Sequence, residues 1–342
     1  MLCRVADEMF WMSRYVERAI AVARLIDNTW HLELDAGDPN EDEAGLWAPL
    51  LGSEGEAGFL PLQDTTAATP REVRYTLAFD ADNPNSLLSC IHHARAAARG
   101  VRESISSEMW EQLNRLYLSL VDPRLLVEAE EDPHTFYSRV REGAQLFQGL
   151  ADCTLAHDEP WHFVILGKYL ERADDVARVL KLQTHLLLRG DGAHGDELVR
   201  WLAVLRSFGS AEAYARYYSL RIEPARAIEF LLLNPVFPQS IRFSLSAASE
   251  ALAQIDGRSA PAIGEPGPAT RALGLLRARL EYGAIDEIMA EGLRAYLTDV
   301  QDRIAHISEL VTRSHFQDEP RPGRLVTVSR AALIMATQQQ QQ

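Results

Sequence analysis

The sequence predicts an all-α protein, an internally duplicated multi-helix bundle whose two homologous halves pack about a pseudo-two-fold axis. Three observations carry this expectation. No run alternates apolar and polar residues as a half-buried strand does. Long segments free of Gly and Pro place apolar residues at three- and four-residue steps, the spacing of a helix with one buried face. One stretch is also written twice: Tyr15-Val-Glu17-Arg18-Ala19-Ile-Ala-Val22-Ala23-Arg24 returns 154 positions later as Tyr169-Leu-Glu171-Arg172-Ala173-Asp-Asp-Val176-Ala177-Arg178. Seven of thirteen positions agree between 13–25 and 167–179. They include a Glu-Arg pair and a later Arg, which helical patterning alone does not require, so the match points to a repeat.

Residues 5–34 read as one long helix, with Met9, Met12, Val16, Ala19, Ala23, Ile26 and Trp30 on one stripe. Residues 36–64 are Gly- and Pro-rich and read as a long loop with a short helical turn near 46–51. A helix over 70–79 follows a Thr69 cap, with Pro70 at its first position. Asn83-Pro84-Asn85-Ser86 is a turn and cap, and 87–121 forms one or two helices before Asp122-Pro123 and Asp132-Pro133 break the chain. Helices are expected at 135–156, from 158 to about 188 with the second motif copy, and at 197–206, 210–221, 225–233, 239–256, 270–282 and 284–316. Residues 257–268 read as a loop, and the tail over 319–342, ending in a glutamine run, as flexible. The offset of 154 also aligns Pro70 with Pro224, Leu77 with Leu231, Ser86 with Ser240, Ala94 with Ala248 and Ala97 with Ala251. The halves are therefore drawn as 1–157 and 158–318, packed as one unit.

The chain has 342 residues, is 47% hydrophobic and carries a formal net charge of −15. Such a chain can bury a sizeable core. Its acidity argues against nonspecific binding to nucleic acid or anionic lipid, both of which need positive surface. The three cysteines Cys3, Cys90 and Cys153 form no disulfide or metal spacing, which suits a reducing cytoplasm. Charges interrupt the apolar start, and no uncharged apolar run reaches 18 residues, so neither a signal peptide nor a membrane span is expected.

On a helical wheel Glu17 and Arg24 point the same way beside the apolar stripe, with Tyr15 and Arg18 at the opposite edge. Glu171, Arg178, Tyr169 and Arg172 repeat the arrangement. Two readings follow. The charged residues form interhelical ion pairs that pin the halves together, since arginine suits buried pairing. Alternatively they line a polar cleft, where Arg18, Arg24, Arg172 and Arg178 clamp an anion and Glu17 or Glu171 acts as a base. The turns at Asn83, Ser86 and Ser240 are helix caps that can also present backbone N–H groups to that cleft. Arg95, Arg99 and Arg102 make a basic stripe able to answer the glutamates. Glu159-Pro-Trp-His162 has the E-x-x-H spacing of helical di-metal sites, but the other match, Glu131-Asp-Pro-His134, holds a proline, so no metal is expected. No phosphate-binding, dinucleotide or hydrolase motif is present, so no cofactor is expected. Trp11, Trp30, Trp110 and Trp161 are read as core.

Several longer runs resemble the bacterial alpha-E family. They are Met1-Leu-Cys-Arg4-Val-Ala-Asp7 leading into Trp11-Met-Ser-Arg14-Tyr15-Val-Glu17-Arg18-Ala19, then Asn83-Pro-Asn-Ser86, Met109-Trp110-Glu111-Gln-Leu113-Asn114, Leu166-Gly-Lys-Tyr-Leu-Glu171-Arg172-Ala173-Asp174 and Phe230-Leu-Leu-Leu-Asn-Pro-Val-Phe237-Pro238-Gln-Ser240. The similarity runs to about residue 316. One departure is Ala94-Arg95-Ala96-Ala97-Ala98-Arg99, where the family carries Ala-Arg-Glu-Asn-Ala-Arg; the glutamate is absent here.

The resemblance implies a helical, cytoplasmic protein associated with circularly permuted ATP-grasp ligases, and hence with making or modifying a peptide-like amide product. Three functions remain open. The chain is a helical partner that docks to an ATP-grasp amidoligase and holds its peptide or amino-acid substrate; or it is itself an enzyme of amide or aminoacyl transfer, using the inter-half cleft; or it is a structural oligomerisation module.

Overall fold

The computed structural model describes residues 1–36, 47, 50, 69–189, 194–218, 221–259 and 266–316. Among them are fourteen α-helices and no strand: α1 (Cys3–Ala36), α2 (Pro70–Ala78), α3 (Leu87–Gly100), α4 (Ser107–Leu120), α5 (Pro123–Glu131), α6 (Pro133–Thr154), α7 (Glu159–Arg189), α8 (His194–Ser207), α9 (Ala211–Tyr218), α10 (Pro224–Leu233), α11 (Ile241–Ser259), α12 (Pro268–Glu281), α13 (Ile285–Glu291) and α14 (Leu293–Val311). A π-helical turn, Thr312–Phe316, closes the described part. Of the expected 36–64 loop, Ala36 ends α1 and Trp47 and Leu50 are helical and buried; its other residues and the tail from 319 lie outside the described residues.

Capping chemistry sets many boundaries. Thr69 and Glu72 form a reciprocal capping box at the start of α2, each satisfying a backbone N–H that the first turn leaves without a partner. Ser86 caps α3 and Ser106 caps α4 through their hydroxyl oxygens. Pro123 and Pro133, read as breaks, instead open α5 and α6, each after an aspartate cap. Proline is at home at the first helical position, where its missing N–H has no partner to lose. The expected 284–316 helix is divided at Gly292, whose φ of 105° ends α13 before α14 begins. Of the expected loop over 257–268, residues 257–259 belong to α11 and Pro268 opens α12, and 260–265 lie outside the described residues.

Helices α1 and α7 form the centre. Helix α1 packs against α3, α6 and α7, and α7 packs against α11 and α14. Their mutual approach is close because both present a small residue at the crossing. Ser13 Oγ donates to Val164 O at 2.7 Å. A Cβ on Gly167 would lie 2.3 Å from Phe10 O, so only glycine fits. Around the crossing, Met9, Met12, Val16, Ala19, Ala23, Leu166, Leu170, Ala173, Val176 and Ala177 are fully or almost fully buried. Of the tryptophans expected in the core, Trp11 is buried, whereas Trp30 and Trp110 are partly buried against it. Trp47 and Trp201 are the fully buried ones.

Candidate functional site

The charged residues of the two similar stretches meet at the α1–α7 crossing. Glu171 is fully buried and accepts from Arg14 Nε at 2.6 Å and from Arg18 Nε at 2.6 Å. Glu17 accepts from Arg172 Nε at 2.6 Å and Arg172 Nη2 at 3.0 Å, with Gln148 Nε2 on its second oxygen. The pairing is crossed: each helix's glutamate meets arginine of the other helix. A charge-assisted pair of this kind is short and directional, and it survives burial only because the partner stays in place.

The wheel reading places Glu17 with Arg24 and Glu171 with Arg178; Glu17 and Arg24 do line one cleft, but the hydrogen-bonded partners of both glutamates come from the other helix, as in the interhelical ion-pair alternative. For the two glutamates the partners lie across the crossing, because the close approach brings the opposite arginines within bonding distance. Arg178 instead pairs with Asp174, its neighbour one turn back, while its Nη1 lies 3.8 Å from Asp175 Oδ1. Asp174 also accepts from Gln301 Nε2 at 3.0 Å, and Arg14 Nη1 donates to Ser308 Oγ at 3.0 Å, so α14 joins the network. The basic stripe of α3 is elsewhere. Arg95 bonds Asn114 and stacks over Tyr117, and Arg102 lies over Trp110. None of these contacts is with the motif glutamates.

The flanking candidates support the arginines. Arg18 Nη1 donates to Asn85 Oδ1 at 3.1 Å, and Arg172 Nη1 donates to Pro238 O at 3.3 Å, so each motif arginine touches one of the two cap turns. Asn83 holds its own turn, donating to Thr76 O and accepting from Asn85 N, and Ser86 and Ser240 cap α3 and α11. Their side chains serve the local backbone. Tyr15 is buried beside His93 and under Arg18, and burial pushes its hydroxyl up to about 12. Tyr169 lies under Arg172, and burial likewise raises its hydroxyl.

Burial alone pushes both glutamates toward protonation. The arginines outweigh it. Arg18 and Arg14 bring Glu171 down to about 2. Arg172, Lys168 and the Gln148 hydrogen bond bring Glu17 below its usual range. Asp175 behaves oppositely. It is buried, neither of its oxygens has a hydrogen-bond partner among the described residues, and burial together with the Glu171 charge raises it well above the carboxylate range.

A cleft between α1 and α7 is lined by Glu17, Arg24, Arg172 and Asp175, with Ile20, Val176, Phe208 and Gln239 around them. The centre of a water-sized sphere has about 20 Å³ of room there. That admits a water or one small polar group. Arg24 forms no ion pair or hydrogen bond among the described residues, and burial brings its guanidinium down to about 10 despite the nearby Glu17. Sequence reading missed Arg14, Gln148, Asp174 and Asp175. The signal for Arg14 is Lys168, the basic residue at the equivalent repeat position. The signal for Asp175 is a carboxylate beside the buried stripe where the first copy has Ala21.

Uncharacterized proteins of Mycobacterium bovis and Mycobacterium tuberculosis are 26% identical to this chain over 315 residues, covering 87% of it. The chain spans only 34% of each of those proteins. No solved structure matches the chain. Residues 1–316 match the Alpha-E family, described as "a predicted alpha-helical domain with a conserved ER motif", and Glu17-Arg18 and Glu171-Arg172 are two such Glu-Arg pairs, so the chain belongs to the Alpha-E family.

Proposed function

We propose that this protein is a helical partner of an ATP-grasp amidoligase and holds a carboxylate-bearing group of a peptide-like substrate in the α1–α7 cleft. The observation that carries the reading is Arg24, a partly buried guanidinium on the wall of that cleft that forms no ion pair or hydrogen bond among the described residues, Glu17 nearby being bonded to Arg172. A desolvated, uncompensated cation is costly, and an incoming carboxylate removes the cost. Asp175, raised toward its neutral acid, supplies an O–H donor beside it. Support for a ligase partner comes from the resemblance of the motifs.

The crossed pairs favour a holding role over catalysis by Glu17 and Glu171. Both carboxylates are locked by arginine and lowered, which makes them weak bases. A second reading, amide or aminoacyl transfer in the cleft, rests on Asp175 with its raised pKa, the kind of group active sites tune. The duplication into halves 1–157 and 158–318 belongs to the same proposal. Its support is reciprocity: Glu17–Arg172 answers Glu171–Arg18, and Ser13 against Val164 answers Gly167 against Phe10.

Two measurements test the proposal. Thermal shift with amino acids, dipeptides, nucleotides and polyamines should show stabilisation by carboxylates in the intact chain and none in Arg24→Met. Equal shifts in both proteins refute the cleft. Co-purification with an ATP-grasp ligase encoded alongside should succeed; ligase activity unaltered by this protein, with no complex formed, refutes the partnership.

A further inference from the structure

One turn beyond Arg24 on α1, three metal-ligating atoms from two helices converge. His134 Nδ1, at the start of α6, lies 2.9 Å from Asp27 Oδ1. His31 Nε2 lies 3.1 Å from the same His134 nitrogen and 3.7 Å from the same Asp27 oxygen. Asp27 is buried, whereas the two imidazoles are about half exposed. Sequence reading, which expects no metal, pairs His134 only with Glu131. The tertiary packing brings it instead to Asp27 and His31.

Protons alone satisfy this triangle poorly. A ring nitrogen has a single in-plane site, used either by a proton or by a lone pair. If His134 Nδ1 carries a proton, Asp27 and His31 compete for it. If it carries a lone pair, that pair serves His31 N–H and faces the aspartate oxygen. One cation at the centre of the three atoms satisfies all three lone pairs together. The spacing fits as well: ligand atoms about 2.0–2.1 Å from a tetrahedral zinc are about 3.3 Å from one another. The observed distances bracket that value. Arg141 Nη1 lies 3.4 Å from Asp27 Oδ2, and its Nη2 donates to Ser138 Oγ at 3.0 Å. This outer contact occupies the second aspartate oxygen and leaves Oδ1 turned to the histidines.

We propose that Asp27, His31 and His134 bind a divalent first-row transition metal, with zinc the ion that best suits two imidazoles and one carboxylate. The exposed side of both imidazoles leaves room for water as a further ligand. The ion joins the C-terminal part of α1 to the start of α6, and it does so whether or not the ligase reading holds.

The test is a Zn²⁺ titration by calorimetry on the full chain after chelator treatment, with Co²⁺ absorption as a second probe of ligand geometry. One ion per chain is expected, with tetrahedral Co²⁺ bands. His31→Gln and His134→Gln should each weaken binding more than about a hundredfold, beyond the 10–100-fold that outer-shell changes cost. His306→Gln, an exposed histidine elsewhere, should bind as the parent does. Both variant rings are half exposed, so folding should persist, and circular dichroism checks that it does. Absence of stoichiometric binding in the parent, or parent-like affinity in His31→Gln and His134→Gln, overturns the site.

Discussion

Glu171→Gln removes the carboxylate to which Arg14 and Arg18 both donate. Glu171 side-chain exposure is 0%, and that of Arg14 and Arg18 is 5% and 3%, so water cannot replace the lost anion without opening the α1–α7 crossing. Breaking a buried pair from one side costs about 3–5 kcal/mol, because it leaves an uncompensated charge. Set against a whole-protein stability of roughly 5–15 kcal/mol, the loss is large. At about 2 °C per kcal/mol for a chain of this size, the melting temperature should fall by about 6–10 °C. Urea unfolding followed by circular dichroism measures the change directly, with the slope checked for two-state behaviour. Glu130→Gln, which breaks an exposed pair with Arg71, should leave the midpoint unchanged. Replacing Arg14, Arg18 and Glu171 together by Met, Met and Leu should recover most of the loss, since apolar packing can substitute for a buried ionic cluster. The pH dependence has a definite sign. The folded pKa of Glu171, about 2, lies below its unfolded value of about 4.3, so its contribution is complete above pH 4–5 and disappears as pH falls toward 2. A Glu171→Gln protein within about 1 kcal/mol of the parent at pH 7 refutes the structural reading, and the catalytic one returns.

Three further outcomes follow from the same geometry. Asp175→Asn should raise the melting temperature at neutral pH, because the folded pKa of Asp175 lies above its unfolded value and ionisation there opposes folding; the gain should vanish below about pH 4, and a loss at pH 7 refutes the assignment. Gly167→Ala should destabilise by about 1–3 kcal/mol through overpacking against Phe10 O, against the roughly 1 kcal/mol that helix propensity alone offers in its favour, so the sign measured by urea unfolding is decisive. Arg24→Met should be more stable than the parent without ligand while losing the carboxylate response, since it removes from the cleft a buried cation that makes no ion pair among the described residues; a destabilised variant in a urea titration refutes that view of Arg24.

The helical class and nearly every helix in the described residues were legible in the chain because they depend on local information. Apolar periodicity, the caps Thr69 and Ser86, and Pro70 at a helix start act within a few residues of one another, whereas Pro123 and Pro133 open helices at places that read as breaks. Gly292 was legible as a residue but not as a break, since its positive φ depends on how α13 meets α14. The motif itself, Glu-Arg written twice, was plain from the repeat. Its partners were not. A wheel places Glu17 beside Arg24 because it sees one helix at a time, whereas Ser13 and Gly167 let α1 and α7 approach until Arg172 and Arg18 reach the opposite glutamates. The same approach leaves Arg24 without an ion pair and Asp175 without a hydrogen-bond donor among the described residues, and docking of α6 on α1 carries His134 to Asp27 and His31. Sequence thus specifies which residues are helical, apolar and charged. Which charges meet across the crossing depends on distances between atoms more than 100 positions apart, and a hydrogen bond is lost within about an ångström of its ordinary length.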